Sequence, residues 1–458
     1  MSFPSIPSTV LGLIGNTPIV ELQGFDAGPC RVFLKLESNN PGGSIKDRMA
    51  LSMVTAAERS GELKPGQTIV EATAGNTGIG LALVAAVKGY RLILAIPDKM
   101  SFEKIAHLRA LGVDIRITRS DVAPGHPENY QDTAARVTAQ TPGAYWVNQF
   151  ANPANPLAHE QTTGPEMWEQ MGHEVDAVIC GVGSAGTITG LSRFFARVSP
   201  ETELVLADPQ GSSLAGYVLT GKLGPSGSYA VEGIGGSSVP KVADLSRVRH
   251  AFSIGDKESF FIARELLRKA GILAGTTTGT LVAAALQYCR QQTRAKRVVT
   301  FVCDTGNKYL SKLFNEYWMI DQGYLERPIT GTLRDLLTRR YEQGAVITVT
   351  PEDALLTAFQ RMRIADVSQV PVVEDGRAVG ILDESDLLLA VHDDESRFRQ
   401  PVRTAMTSRL ETVSPDASLE DVRRILDQGL VALVVEGTRF LGLITRSDLL
   451  SHLRRRLK

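Results

Sequence analysis

AVICGVGSAGTITGLSRFFARV, residues 177–198, reads as a short apolar strand, a glycine-rich turn and then a helix, LSRFFARV. Strands that are apolar along their whole length belong in sheets covered on both faces. The same order recurs on either side, around RLILAIP at 91–97, ELVLAD at 203–208 and RVVTFVCDT at 297–305. From about residue 10 to residue 315 the expectation is an α/β region built on parallel strands.

Three glycine loops in this region stand at strand–helix junctions, where the carboxyl edge of a parallel sheet binds ligands. GVGSAGTITG at 181–190 offers unpaired N–H groups and the positive end of a helix dipole, which suits a phosphate. Alone it also fits a dinucleotide, and Asp208 stands roughly where a ribose-binding acid would. EATAGNTGIG at 71–80 sets Thr73, Asn76 and Thr77 among glycines that let a carboxylate approach the backbone; an ordinary capped helix start has the same residues. NPGGSIKDR at 40–48 puts Lys46 between a glycine turn and a helix beginning near Asp47. It is not a Walker A loop, because Asp47 follows the lysine where that motif has Ser or Thr. A helix start disfavours Lys46 as a cation and so favours its neutral, nucleophilic amine, against the plainer reading of a surface lysine.

Composition narrows the partners. The chain has 458 residues, 43% hydrophobic and 22% charged, enough for two unequal domains or three. Lys plus Arg number 49 against 50 Asp plus Glu, so nothing in the charge balance seeks nucleic acid. Cys30, Cys180, Cys289 and Cys303 form no Cys-x-x-Cys, and the seven histidines form no ligand-spaced pair, so no metal is expected and the thiols read as reduced. IGLALVAAV at 79–87 is too short to span a bilayer, and the N-terminus lacks the basic start of a secretory signal. A cytoplasmic protein with no membrane partner is expected.

An internal repeat occupies the C-terminal part. TVTPEDALLTAFQRM at 348–362 pairs with TVSPDASLEDVRRIL at 412–426, and VGILDESDLL at 379–388 with LGLITRSDLL at 441–450. Offsets of 64 and 62 residues are those of a duplicated unit. Each copy is expected to run strand, Pro-initiated helix, two strands around a tight turn (EDG at 374–376, EGT at 436–438), helix. The expected domains are a catalytic one at 1–325, a linker at 326–342 and a tandem at 343–458, with repeats 343–397 and 403–456. The repeat resembles the tandem CBS-domain, or Bateman, module, which is either a nucleotide sensor or purely a dimerisation device.

In this order NPGGSIKDR, TAGNTG, ANPANPLAHEQTTGPE at 151–166, GVGSAGT and VEGIGG at 231–236 are similar to the fold type II pyridoxal-phosphate enzymes, the group of the cystathionine β-synthases and cysteine synthases. The resemblance spans roughly residues 8–315 and implies two open, twisted α/β sheets. It implies that Lys46 holds the cofactor as a Schiff base and then removes the substrate's Cα proton. Asn76 would bond the cofactor's ring hydroxyl, Gly183, Ser184, Ala185, Gly186 and Thr187 its phosphate. Thr305, in VCDTGNKY at 302–309, would face the pyridine nitrogen, with Asp304 the competitor. Thr73, Ala74, Gly75, Thr77 and Gln149 would grip the substrate carboxylate, and Gly233, Ile234 and Gly235 would form a loop over the cofactor.

The resemblance implies β-replacement joining L-serine and L-homocysteine, with hydrogen sulfide from cysteine and homocysteine as a side product. The alternative is a cysteine synthase using O-acetylserine and sulfide. The tandem module and Glu103 and Lys104 of MSFEK favour the first; Ala74 for Ser, Gly236 for Tyr and Phe150 for Tyr depart from relatives using homocysteine. A homodimer is implied. In the repeat, Thr445 and Asp448 match a ribose-binding Thr-x-x-Asp, whereas Asp383 replaces the hydroxyl in the first copy and favours an uncharged or cationic adenosyl ligand, or none. Val367 and Ser368 stand where S-adenosylmethionine-activated relatives have an aromatic and an acidic residue, so weak or absent activation is expected. Few residues precede LIGNTP at 13–18, so no haem is expected.

Overall fold

The computed structural model describes residues 6–455 except Ala74, Lys99, Pro124 and Pro328. The chain divides into two compact units between Asn315 and Glu316.

The first unit holds two sheets. The larger has six strands in the order Ile19–Glu21, Arg31–Lys35, Arg297–Phe301, Ala177–Cys180, Glu203–Pro209 and Val248–Ile254. All its pairings are parallel except that between the first two strands. The smaller is entirely parallel, in the order Asp114–Thr118, Arg91–Pro97, Thr68–Ala72 and Tyr145–Trp146. The central strands Ala177–Cys180 and Thr68–Ala72 are buried at every residue, as strands covered on both faces are; the first is apolar throughout, and the second buries Glu71. Helices Gly186–Val198 and Thr276–Arg290 pack on the larger sheet, and Lys46–Ser60 and Asn76–Lys88 on the smaller.

The loops that carry Thr73, Gly183–Thr187 and Thr305 leave the carboxyl ends of strands, whereas Gly233–Gly235 lie between the helix Leu214–Thr220 and the strand Val248–Ile254. Thr68–Ala72 runs into Thr73–Gly75, Ala177–Cys180 into 181–185, and Arg297–Phe301 into 302–305. The turn before Lys46 pairs with the last of these: Ile45 N donates to Cys303 O at 2.9 Å, and Thr305 N to Gly43 O at 3.1 Å. No helix among the described residues is long and apolar enough to cross a membrane.

The second unit repeats one motif. Antiparallel strands Gln369–Glu374 and Arg377–Asp383 correspond to Ala432–Glu436 and Arg439–Ile444, each pair with a bulge, at Val372/Val373 and Val434/Val435. Val349 bridges Val372 in parallel, just as Val413 bridges Val434. The helices Leu355–Ala365 and Leu419–Asp427 begin four residues after Pro351 and Pro415. Both prolines therefore lie before their helices, in the turn region. Ala354 and Ser418 occupy the cap positions, and only Ser418 closes a capping box, with Asp421.

Candidate active site

A lysine at the first position of a helix has nothing above it but the preceding turn, so its side chain is free to reach into a cavity. Lys46 does so. It lines a cleft with Asn76, Cys180, Gly183, Thr187 and Ile234, and is otherwise enclosed. Burial lowers the pKa of its amine; the nearby Cys303 and Asp304 oppose that shift and Lys104 adds to it. Among the described residues no hydrogen bond holds Nζ.

The phosphate-type loop faces Lys46 across the cleft. Gly183, Ser184, Ala185, Gly186 and Thr187 all line it, and Ala185 adopts φ 70° to turn the chain into the helix Gly186–Val198. First-turn N–H groups have no partner inside a helix, and here they open onto the cavity. Side chains are excluded from two of the positions by contact. A Cβ on Gly186 would lie 1.8 Å from Asn155 Oδ1, and one on Gly183 2.3 Å from Gly233 O. Asn155 Nδ2 donates to Ser184 Oγ at 3.0 Å. His159, wholly buried, bonds Thr163 Oγ1 at 2.9 Å and Thr187 Oγ1 at 3.3 Å, and burial pushes its pKa well below the usual range. A neutral imidazole that orients Thr187 suits an anion held by hydrogen bonds, with no imidazolium needed.

Opposite this loop, helix Asn76–Lys88 presents Asn76 at its first residue. Asn76 Nδ2 donates to Asp304 Oδ2 at 2.7 Å, and Lys308 Nζ donates to Asn76 Oδ1 at 3.0 Å. Thr73 Oγ1 accepts from Gly75 N at 3.1 Å, and Thr77 Oγ1 donates to Gln149 Oε1 at 2.8 Å. Gln149 in turn donates to the O of Ala72, the residue before Thr73, at 3.0 Å; Thr73, Gly75, Thr77 and Gln149 stand outside the cleft lining. Gly75 has φ 116°, and a Cβ there would meet Lys104 Cδ at 2.7 Å. Ala74 lies outside the described residues. Gly233 and Ile234 line the cleft; Gly235, at φ 85°, donates from its N–H to Val182 O at 2.8 Å and ties this loop to 181–185.

Thr305, expected to face the pyridine nitrogen, stands at the start of the turn Gly306–Tyr309. Its hydroxyl accepts from Asn307 N at 3.3 Å, capping the turn Gly306–Tyr309, and it does not line the cleft. Besides Ser184 and Thr187 of the phosphate-type loop, the cleft wall holds the hydroxyl of Thr277, in the first turn of Thr276–Arg290, which donates to Glu232 O. Asp304 turns inward to Asn76 and to Tyr309, whose OH donates to it at 2.7 Å. Further buried charges pair with one another outside the cleft lining: Lys104 Nζ donates to Glu232 Oε2 at 2.6 Å and to Tyr309 OH at 2.9 Å. Thr277, Lys308, Tyr309 and Glu232 were not singled out by sequence reasoning. GTTTGT at 275–280 repeats the strand-edge glycine pattern and is the signal that points to Thr277.

In the second unit a cavity of about 570 Å³ is lined by Thr445, Asp448, Val367, Ser368, Asp366 and Arg446, among others. Thr445 donates to Asp448 Oδ2 from both N, at 2.8 Å, and Oγ1, at 2.6 Å. Asp383 and Asp386 of the first repeat cap their own helix reciprocally. Among the described residues no cluster of His, Cys, Asp and Glu is arranged to hold a metal.

Residues 10–304 match the family of pyridoxal-phosphate dependent enzymes, and residues 333–393 and 402–455 match the CBS domain. A cystathionine beta-synthase of Dictyostelium discoideum is 32% identical over 463 residues, spanning 98% of this chain and 92% of that protein. The one of Mus musculus is 35% identical, spanning 94% and 78%. Among solved structures, a hydrogen sulfide-producing enzyme from Fusobacterium nucleatum is 35% identical with a TM-score of 0.63, covering 67% of this chain and all of that one. An O-acetylserine dependent cystathionine beta-synthase from Helicobacter pylori is 32% identical at the same TM-score, covering 68% of this chain and 99% of that one. This chain belongs to the cystathionine beta-synthase family of pyridoxal-phosphate-dependent enzymes. Its cofactor is pyridoxal phosphate, and its fold is the α/β catalytic domain followed by a CBS tandem that the sequence implied.

Proposed function

We propose that this chain performs β-replacement, condensing L-serine with L-homocysteine to L-cystathionine and water. The observation that carries the reading is a single cleft in which the Lys46 amine, a phosphate-type helix start, Asn76 at the start of the next helix and the turn of Gly233 and Ile234 converge. Residues Gly183–Thr187, which line the cleft at a helix start and are held to glycine at 183 and 186 by contact with Gly233 O and Asn155 Oδ1, fit a phosphate held by backbone. Bound there, the cofactor would withdraw electrons from Cα so that the β-substituent can leave.

The chain's own residues then divide the work. Lys46 attaches the cofactor, is freed by the amino acid, and takes the Cα proton at Nζ; its neutral amine is what that step needs. Gly183 to Thr187 hold the phosphate, and Asn76 Nδ2 bonds the ring oxygen. Thr277 supplies the hydroxyl toward the ring that Thr305 was expected to give. Thr73, Gly75, Thr77 and Gln149 grip the substrate carboxylate, and 233–235 cover the cleft and exclude water. The thiol of homocysteine adds where the hydroxyl left, and Lys46 returns the proton.

Use of cysteine in place of serine, which would release hydrogen sulfide, is part of this proposal, as are a homodimer and a cytoplasmic site of action. In the tandem module, the Thr445 and Asp448 cavity is proposed for an adenosyl ligand. Mass-spectrometric product identification tests the reading, with serine plus homocysteine in one reaction and O-acetylserine plus sulfide in another. Cystathionine as the dominant product is expected; cysteine as the dominant product would make the chain a cysteine synthase.

A further inference from the structure

Lys308 reaches both of the loops that meet the cofactor. Its side chain is 4% exposed, and Nζ donates to Gly42 O at 2.9 Å, Gly43 O at 3.2 Å and Asn76 Oδ1 at 3.0 Å. One ammonium thus joins the turn that leads into Lys46 to the carboxamide at the start of the next helix. A carboxamide whose oxygen accepts from a cation is a stronger N–H donor. One N–H of Asn76 is spent on Asp304 Oδ2, and the other is left for a ligand.

We propose that Lys308 is a positioning residue that acts through Asn76 to favour the ionised form of the cofactor's ring oxygen. This rests on the reading that Asn76 meets that oxygen. The groups facing Lys308 are Asp304 on the segment after Phe301, Asp47 at the start of Lys46–Ser60, Lys104 and His107 on Phe102–Ala110, and Tyr309 beside it in the chain. Burial lowers the Lys308 pKa to about 8, with Asp304 and Asp47 opposing the shift and Lys104 adding to it. The positive charge that Lys308 sets against Asn76 Oδ1 is therefore present near neutral pH and lost above that value.

The test is the ratio of visible to near-ultraviolet absorbance of the bound cofactor, recorded on the holoprotein from about pH 6.5 to about pH 10. In the unaltered protein the ratio should fall about fivefold or more, centred near pH 8. Lys308→Gln, which can still bond Gly42 O, should give a low ratio that does not change with pH. Lys308→Arg should keep a high ratio throughout, because guanidinium stays charged. A ratio constant with pH in the unaltered protein, or a Lys308→Gln profile that follows it, overturns the proposal; the first needs no variant. Borohydride reduction and peptide mass spectrometry on the same samples locate the cofactor. A label on Lys46 with an unchanged ratio overturns the proposal alone, and a label on another lysine overturns the reading beneath it as well.

Discussion

A lysine acts as a nucleophile only when neutral, and at Lys46 burial shifts the amine toward that form. Replacing it is expected to remove covalent cofactor attachment and to lower kcat/KM by about 10³-fold or more, as for other proton-transferring groups; borohydride trapping and steady-state rates check both. Gly186→Ala sets a Cβ 1.8 Å from Asn155 Oδ1, so the phosphate loop must shift. Cofactor affinity is expected to fall about tenfold or more, measured by fluorescence titration. Thr277→Ala should lower kcat about tenfold while Thr305→Ala changes it less than about twofold. Equal losses in the two variants would contradict the assignment of Thr277. Lys46, Asn76 and Gly183–Thr187 were legible in the sequence because a glycine turn and the helix it starts are local features. Thr277 and Lys308 were not, because fold closure brings them in from segments more than 200 residues away, as the separation of 232 between Asn76 and Lys308 shows. Alternation separates Asp304 from Thr305, but the strand ends at Phe301, so the pattern cannot say which of them turns inward.

At the scale of elements, the strand Thr68–Ala72 carries a charge-bearing residue with no exposure, Glu71. Burial pushes its pKa up to about 8, against hydrogen bonds from Gln149 and neighbouring backbone that favour ionisation. The folded form thus holds a proton that the unfolded chain releases from its ordinary value of 4.5 upward. Stability from this group is full below that value, declines as pH rises, and is lost above about pH 8. Glu71→Gln should flatten the fall in Tm between those pH values. Parallel slopes for the two proteins would show that Glu71 does not carry it. The parallel strands were legible because both their faces are apolar. The duplicated unit was also visible, down to matched residues that form matched bulges at Val372/Val373 and Val434/Val435. The prolines were misjudged as helix starts because Pro suits both a first helical turn and a preceding β-turn, and local sequence does not choose between them.

The whole molecule couples a catalytic unit to a duplicated module, and their sequence signals differ in kind. The catalytic unit has ordered motifs that name its chemistry; the module has a repeat that names its architecture and says little of its ligand. Val367 and Ser368 line the cavity near Thr445 and Asp448, neither of them the aromatic or the acidic residue of S-adenosylmethionine-activated relatives, and the aromatic ring in the lining is that of Tyr317. Calorimetry with S-adenosylmethionine, run beside steady-state rates, is therefore expected to show weak or absent activation. Tight binding coupled to activation would contradict that. The central claim is that Lys46 moves the Cα proton while serine and homocysteine are joined. Its most direct test is the reaction of those two substrates in deuterated water, followed by mass spectrometry of the product. Cystathionine mostly carrying one deuterium at the serine-derived Cα, and none formed by Lys46→Ala, is the predicted result. Cystathionine without deuterium at that carbon, or no cystathionine from the unaltered protein, would contradict it.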